Sequence, residues 1–212
     1  MTVEILSLSA RGSESVAVSF AISDGEHTQK ETLLVGADTV VSLKLRVGEC
    51  EAEMYDKVLD ASLLYEAVRK ALNILGYGAC SERMLIRKLT VKGISLDIAK
   101  RAARELVRSG YIDPSADAAR EAEKCVSKLW GRIRIIAELR KKGYGDGEIK
   151  SALYALEDSE VDFVGICAER IRRTVDCIPT DPADKRRLAA SLSRYGFSNS
   201  EIKEAFKGAF EE

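Results

Sequence analysis

The chain has 212 residues and a mass of 23.3 kDa, 46% hydrophobic and 32% charged, which suits one large or several small folded domains and excludes disordered and collagen-like classes. Its 33 basic and 34 acidic side chains leave a formal net charge of -1, so bulk charge makes no case for a nucleic-acid or membrane partner. That charge is unevenly placed: residues 1–62 carry five basic against eleven acidic side chains, and the basic character belongs to the C-terminal two-thirds.

From the N-terminus, MTVEILSLSARGSE has neither the basic start nor the long apolar run of a signal peptide, and no later stretch is long and apolar enough to span a bilayer. A cytoplasmic location is expected. Residues 1–48 read as β: VEILSLSA, then SVAVSFAIS with alternating Val16, Val18, Phe20 and Ile22, then an Asp24-Gly25-Glu26-His27 turn, then TLLV. Alternation broken by Asp-Gly is a strong hairpin signal. The segment after it predicts a short helix over residues 37–45, ending near Gly48. A two- or three-stranded ribbon of this size has too little core to fold alone and should dock on the downstream part of the chain.

From about residue 63 the pattern switches to a helical period. LLYEAVRKALNIL puts Leu64, Val68, Leu72 and Leu75 on one face, and SERMLIRKLTVKG, opened by the capping residue Ser81, pairs Leu85 with Leu89 and stops at Gly93. A third helix comes next, with Ala99, Ala102, Ala103 and Leu106 inward and Gly110 at its end. The middle phrase then returns twice, as GRIRIIAELRKKGY and DKRRLAASLSRYGF. Eight residues before each turn glycine stands Leu85, Ile135 or Leu188; four before it Leu89, Leu139 or Leu192; one after it Ile94, Tyr144 or Phe197. The glycines Gly93, Gly143 and Gly196 lie 50 and 53 residues apart, which predicts a tandem array. The fold class expected is mainly α: an elongated array of three three-helix repeats, at residues 61–113, 114–158 and 159–212, behind a small N-terminal β-hairpin region at residues 1–60. The helices opening the second and third repeats are expected over 115–129 and 161–175, and Asp181-Pro182 supplies an N-cap and first-turn proline.

No phosphate loop, dinucleotide fingerprint, HExxH or Cys/His set at metal spacing is present. The five cysteines, Cys50, Cys80, Cys125, Cys167 and Cys177, are widely spaced and read as reduced structural thiols. His27 sits in a turn without a nucleophile or orienting acid, and the acids at 157–162 read as helix-start charges. A non-enzyme without cofactor or metal is expected. What remains is a binding surface. Arg87, Lys88 and Lys92 follow one another along the first middle helix, with Arg101, Arg104 and Arg108 on the next. The second repeat offers Arg134, Arg140, Lys141 and Lys142, and the third Arg172, Arg173, Arg186 and Arg187. Equivalent positions of an array fall on one side, so these cations predict a continuous basic stripe. Trp130, Tyr144 and Phe197 read as packing residues.

These residues resemble the RecX family of bacterial recombination regulators. RIRIIAELRKKGY matches the family phrase R-x-I-x-x-E-L-x-x-K-G-[IVY] through Arg134, Ile135, Glu138, Leu139, Lys142 and Gly143. Lys88, Leu89, Lys92 and Gly93, with Gly110, Tyr111, Ile112 and Asp113, are similar to a second signature, and the hairpin with its DGE turn is similar to the extension of many Gram-positive members. The chain departs from the pattern at Pro114 and Asp117. The resemblance implies a regulator that lies in the groove of the RecA filament on single-stranded DNA, inhibits its ATPase and strand exchange, and touches single- or double-stranded DNA without sequence preference; a monomer is expected because the polar ends of the array cap it. Two other readings stay open on the residues alone. Residues 81–112 also read as a helix-turn-helix for sequence-specific DNA binding, although a winged version needs a β-hairpin after Gly110 where the sequence reads helical. An α-solenoid adaptor for another partner is the third.

Overall fold

The protein, seen in a computed structural model, is described over residues 2–25 and 27–210. Glu26, one of the four residues of the expected hairpin turn, lies outside them. Strands β1 (Thr2–Ala10), β2 (Ser15–Ser23), β3 (Thr28–Gly36) and β4 (Gly48–Cys50) form one antiparallel sheet in the order β3-β2-β1-β4. The fourth strand was not expected, because three residues are too few for alternation to register. A one-residue register shift between Ile5 and Ser7 bulges β1 at Leu6. At the hairpin the Asp24 carboxylate accepts from the His27 N–H at 2.9 Å. Val3, Ile5, Val18, Phe20, Leu33 and Val35 are buried on the packed face of the sheet.

The short helix α1 (Ala37–Ser42) leads to α2 (Ala52–Gly76), which starts well before the expected position near residue 63. The reason is that α2 is two-faced. Its first half lays Met54, Tyr55, Val58 and Leu59 on the sheet, while its second half buries Ala67, Ala71 and Ile74. At 100° per residue those stripes lie on nearly opposite faces, so no single stripe runs the length of the helix; the expected face of Leu64, Val68, Leu72 and Leu75 is only half-buried, and the small residues beside it make the close contact. The sheet thus gains the core it could not build alone, as expected. Tyr55 donates to Glu31 on β3 at 2.6 Å and meets Phe20 edge to face at 5.2 Å.

Helices α3 (Glu82–Val91), α4 (Leu96–Arg108), α5 (Pro114–Val126), α6 (Arg132–Lys141), α7 (Asp146–Asp158), α8 (Phe163–Arg172), α9 (Pro182–Arg194) and α10 (Asn199–Gly208) complete the chain. The molecule is therefore mainly helical behind an N-terminal antiparallel sheet. Two compact bodies are distinguishable. The first holds the sheet, α1, α2, α4 and α3 from Leu85 onward; the second begins with Ala79–Met84 and resumes at Gly110. In the first, α2 packs on α4, both with small side chains at buried positions. In the second, α5 packs on α7 and α8 on α10, around one core of Ile135, Leu139, Tyr144, Ile149 and Leu156 and another of Ile171, Leu188, Leu192, Phe197 and Ile202.

The recurring sequence phrase has a single structural meaning. Gly93, Gly143 and Gly196 all adopt the left-handed conformation, with φ of 85°, 88° and 91°. After each, the next residue's N–H reaches back across the helix end: Ile94 to the Leu89 carbonyl at 3.1 Å, Tyr144 to Leu139 at 3.1 Å, Phe197 to Leu192 at 3.3 Å. This is the Schellman motif, whose accompanying apolar pair is the leucine four before the glycine and the residue one after it. Asp181 caps α9 through the Ala183 and Asp184 N–H groups at 3.0 Å, with Pro182 at the first helical position as expected.

Candidate interaction surface

The cations singled out in the sequence fall into two populations. Along α3, Arg87, Lys88 and Lys92 are exposed, and among the described residues their side chains have no hydrogen-bond or ion-pair partner. Arg104 and Arg108 on α4 are exposed in the same way and line a groove of about 500 Å³ with Leu64, Glu105 and Ser109. Its remaining wall is Arg101, held in a two-pronged ion pair with Asp60 of α2 at 2.6 and 2.7 Å. The Arg101 hydrogen bond holds the Asp60 carboxyl below its usual range despite partial burial.

In the second body the candidate cations are occupied within the chain. Arg134 is half-buried, its guanidinium 4.1 Å from the Trp130 ring centre and 5.0 Å from that of Tyr195. Arg170 lies 3.5 Å from the Tyr195 ring centre, and Lys128 5.2 Å from that of Trp130. Lys142 donates to Glu121 at 2.6 Å, Arg140 to Asp146 at 3.2 Å, and Lys141 stands 4.0 Å from Glu138. Burial pushes the Glu121 carboxyl up, but the Lys142 hydrogen bond and the Lys142 and Lys124 charges outweigh it and hold the group below its usual range. Arg172 and Arg173 share Glu169, and Arg172 also donates to the Ala209 carbonyl at 3.1 Å. Arg187 pairs with Asp184 at 2.9 Å, and Arg186 donates to the Pro182 carbonyl at 3.1 Å. The acids expected as helix-start charges divide similarly: Asp162 caps α8 through the Val164 N–H, whereas Glu157 lies near the end of α7 and pairs with Arg132 at 2.8 Å.

Arg134 is held because the start of α6 docks on the glycine turn after α9. The Gly131 N–H donates to the Tyr195 carbonyl at 2.8 Å and the Ile133 N–H to the Gly196 carbonyl at 3.1 Å. A Cβ on Gly131 would lie 2.3 Å from the Gly196 backbone, and one on Gly196 2.3 Å from the Arg134 nitrogen, so this approach demands glycine on both sides. The start of α3 repeats the arrangement on the turn after α6: Ser81 donates to the Lys142 carbonyl at 2.5 Å and accepts from the Met84 N–H at 3.2 Å.

One exposed group is not evident from the sequence pattern. Tyr77, at the C-terminus of α2, is 96% exposed. It lines a hollow of about 360 Å³ with Lys70, Asn73, Ile74 and Lys92. The available signal was its position: at helical spacing Tyr77 and Asn73 lie opposite the Leu64, Val68, Leu72 and Leu75 stripe.

Cys80, Cys125 and Cys167 are buried, and none of the five cysteines is in a disulfide. Among the described residues no group of His, Cys, Asp and Glu is arranged to hold a metal, and no helix is long and apolar enough to cross a membrane. The segment after Gly110 is helix α5, not the β-hairpin a winged helix-turn-helix needs.

No family model matches the chain. Curated relatives do. The chain is 32% identical over 155 residues to a regulatory protein RecX of Halorhodospira halophila, spanning 72% of this chain and 94% of that one. It is 33% identical over 146 residues to a regulatory protein RecX of Pelodictyon phaeoclathratiforme, spanning 66% and 87%. Among solved structures, one of a regulatory protein RecX superposes with a TM-score of 0.73 at 20% identity, covering 95% of this chain and 99% of that one. RecX from Lactobacillus salivarius superposes with a TM-score of 0.60 at 22% identity, covering 70% and 97%.

Proposed function

This chain belongs to the RecX family of regulatory proteins, and from that premise we propose that it binds the RecA filament on single-stranded DNA and inhibits its ATPase and strand exchange in recombination and repair. The observation that carries this reading is the 32% identity extending over 94% of a RecX relative, which leaves little of that relative without a counterpart. The protein acts by binding, without catalysis or cofactor, as a cytoplasmic monomer. Its helices after the β region form three successive three-helix units, at residues 61–113, 114–158 and 159–212. The glycine-bearing Schellman turns at Gly93, Gly143 and Gly196, at matching intervals, and the two docked helix starts support that division. Repeated units suit a filament, because each can meet a successive protomer and modest contacts then sum.

The test is the single-stranded-DNA-dependent ATPase of a bacterial RecA, titrated with this protein at physiological salt while binding to free DNA is followed in parallel. Inhibition well below the concentration that coats free DNA is expected. An unchanged ATPase at saturating protein removes the inhibitory role.

A further inference from the structure

We propose that the hollow between the C-terminal end of α2 and the end of α3 is a single-stranded nucleic-acid site, in which Tyr77 stacks on a base while Lys88 and Lys92 take the phosphates. Three properties meet there. The Tyr77 side chain is 96% exposed and has no ring partner among the described residues, so its face is open to a planar ligand at the end of a rigid helix. Asn73, which lines the same hollow, presents both a donor and an acceptor, the complement of a base edge. The floor is Ile74, 9% exposed, and the walls are Lys92 and Lys70, the latter paired with Glu66 at 2.6 Å. Lys88, one helical turn before Lys92, adds a second cation without an internal partner among the described residues.

Charge alone would suit an acidic protein surface equally well. The ring favours the nucleotide: an acidic surface would use only the phenol and amide as hydrogen-bond donors, whereas a nucleotide uses the open ring face for stacking, the amide for a base edge and the lysines for a phosphate. The hollow, about 360 Å³, is at the small end of ligand-sized pockets and suits one nucleotide of a strand running across the surface. Single strands are favoured over duplex because only an unpaired base can turn its face to a tyrosine. The inference rests on the RecA reading in one respect, that the natural strand is DNA.

The test is fluorescence anisotropy of the full chain with two labelled polymers of about 16 nucleotides, an oligodeoxythymidylate and an abasic phosphodiester of equal length and charge. The wild type is expected to bind the thymidylate about tenfold more tightly than the abasic polymer. Tyr77→Ala abolishes that preference by weakening thymidylate binding alone, Tyr77→Trp retains it, and the Lys88→Glu, Lys92→Glu pair weakens both polymers. Tyr77 has no described internal contact to lose, so its substitution leaves the fold intact, and an unchanged melting curve checks this. Equal binding of the two polymers by the wild type, or a preference that survives Tyr77→Ala, overturns the site; so does capture of polyglutamate through these lysines with no response to the ring. RecA inhibition that persists without base preference overturns this inference and leaves the filament reading standing. Base preference without RecA inhibition does the reverse.

Discussion

Arg134 illustrates how a residue read from its spacing acquires a different setting in the structure. Its place before the turn glycine marks it as one of a series of exposed bases, yet its guanidinium lies between Trp130 and Tyr195, where cation–π attraction and stem burial hold it. Sequence could register Trp130 as a packing residue, but Tyr195 is 61 positions beyond Arg134 and no local period connects them. Reversing Arg134 or Lys142 to Glu is therefore expected to lower thermal stability as well as any binding, Lys142→Glu because it faces Glu121. A loss of about 1 kcal/mol shifts the melting temperature by roughly 2–4 °C in a chain of this size; Lys141→Glu, on an exposed position, should shift it much less. Gly131→Ala is expected to cost about 1–3 kcal/mol through overpacking against the Gly196 backbone, read by urea unfolding. Tyr144 carries a pH dependence. Burial, reinforced by the nearby Asp117 and Glu121 charges, pushes its phenol from 10 up to about 12. The neutral ring is the form the fold favours, so its contribution is complete below about pH 10 and disappears as pH rises toward 12, a loss of roughly 3 kcal/mol at most. Unfolding followed by circular dichroism at about pH 9 and about pH 11.5 should show that loss in the wild type and a smaller one in Tyr144→Phe.

At the scale of elements, what was legible followed from how many apolar residues one face repeats. The Asp-Gly hairpin and the α4 face were readable because alternation and the 3.6 period run unbroken through them. The three glycine turns were readable because the leucine and apolar pair of a Schellman motif are both local. The start of α2 was not, because its apolar stripe changes face midway, and β4 was not, because its three residues pair through backbone alone. The same limits apply to the candidate site: cationic positions were visible as residues, but whether a carboxylate meets each one depends on partners such as Glu121, 21 residues from Lys142. Where α2 turns from the sheet to α4, Arg101 clasps Asp60. The depressed Asp60 carboxyl stabilises above its unfolded value and loses that contribution as pH falls through the folded one. Asp60→Asn is expected to flatten the acid limb of the stability profile, and an unaltered acid limb in urea titrations would show the clasp to be inert. Leu139→Ala, at a fully buried position, should cost about 2–5 kcal/mol.

For the whole molecule, the near-zero net charge hides a division of labour. The second body's candidate cations are largely matched with its own carboxylates and rings, whereas those of α3 and the outer part of α4 are left open to partners. Binding to polyanions should therefore be lost on reversing Arg87, Lys88 and Lys92 and barely altered by reversing Arg140 and Arg187, and the salt dependence of DNA binding should flatten only in the first set. Salt titrations of both variants separate the outcomes, and equal losses would place the contact on both bodies. The docked helix starts also impose an order in time. Ser81 bonds to a carbonyl 61 residues further along the chain, and Gly131 to one 64 residues further, so neither helix start can be completed when it first leaves the ribosome. At about 5–20 residues per second, that wait lasts roughly 3–13 s. A nascent chain thus carries α3 and then α6 with an unfastened beginning, and a premature stop after residue 178 would leave the Gly131 and Ile133 amides without the carbonyls that receive them.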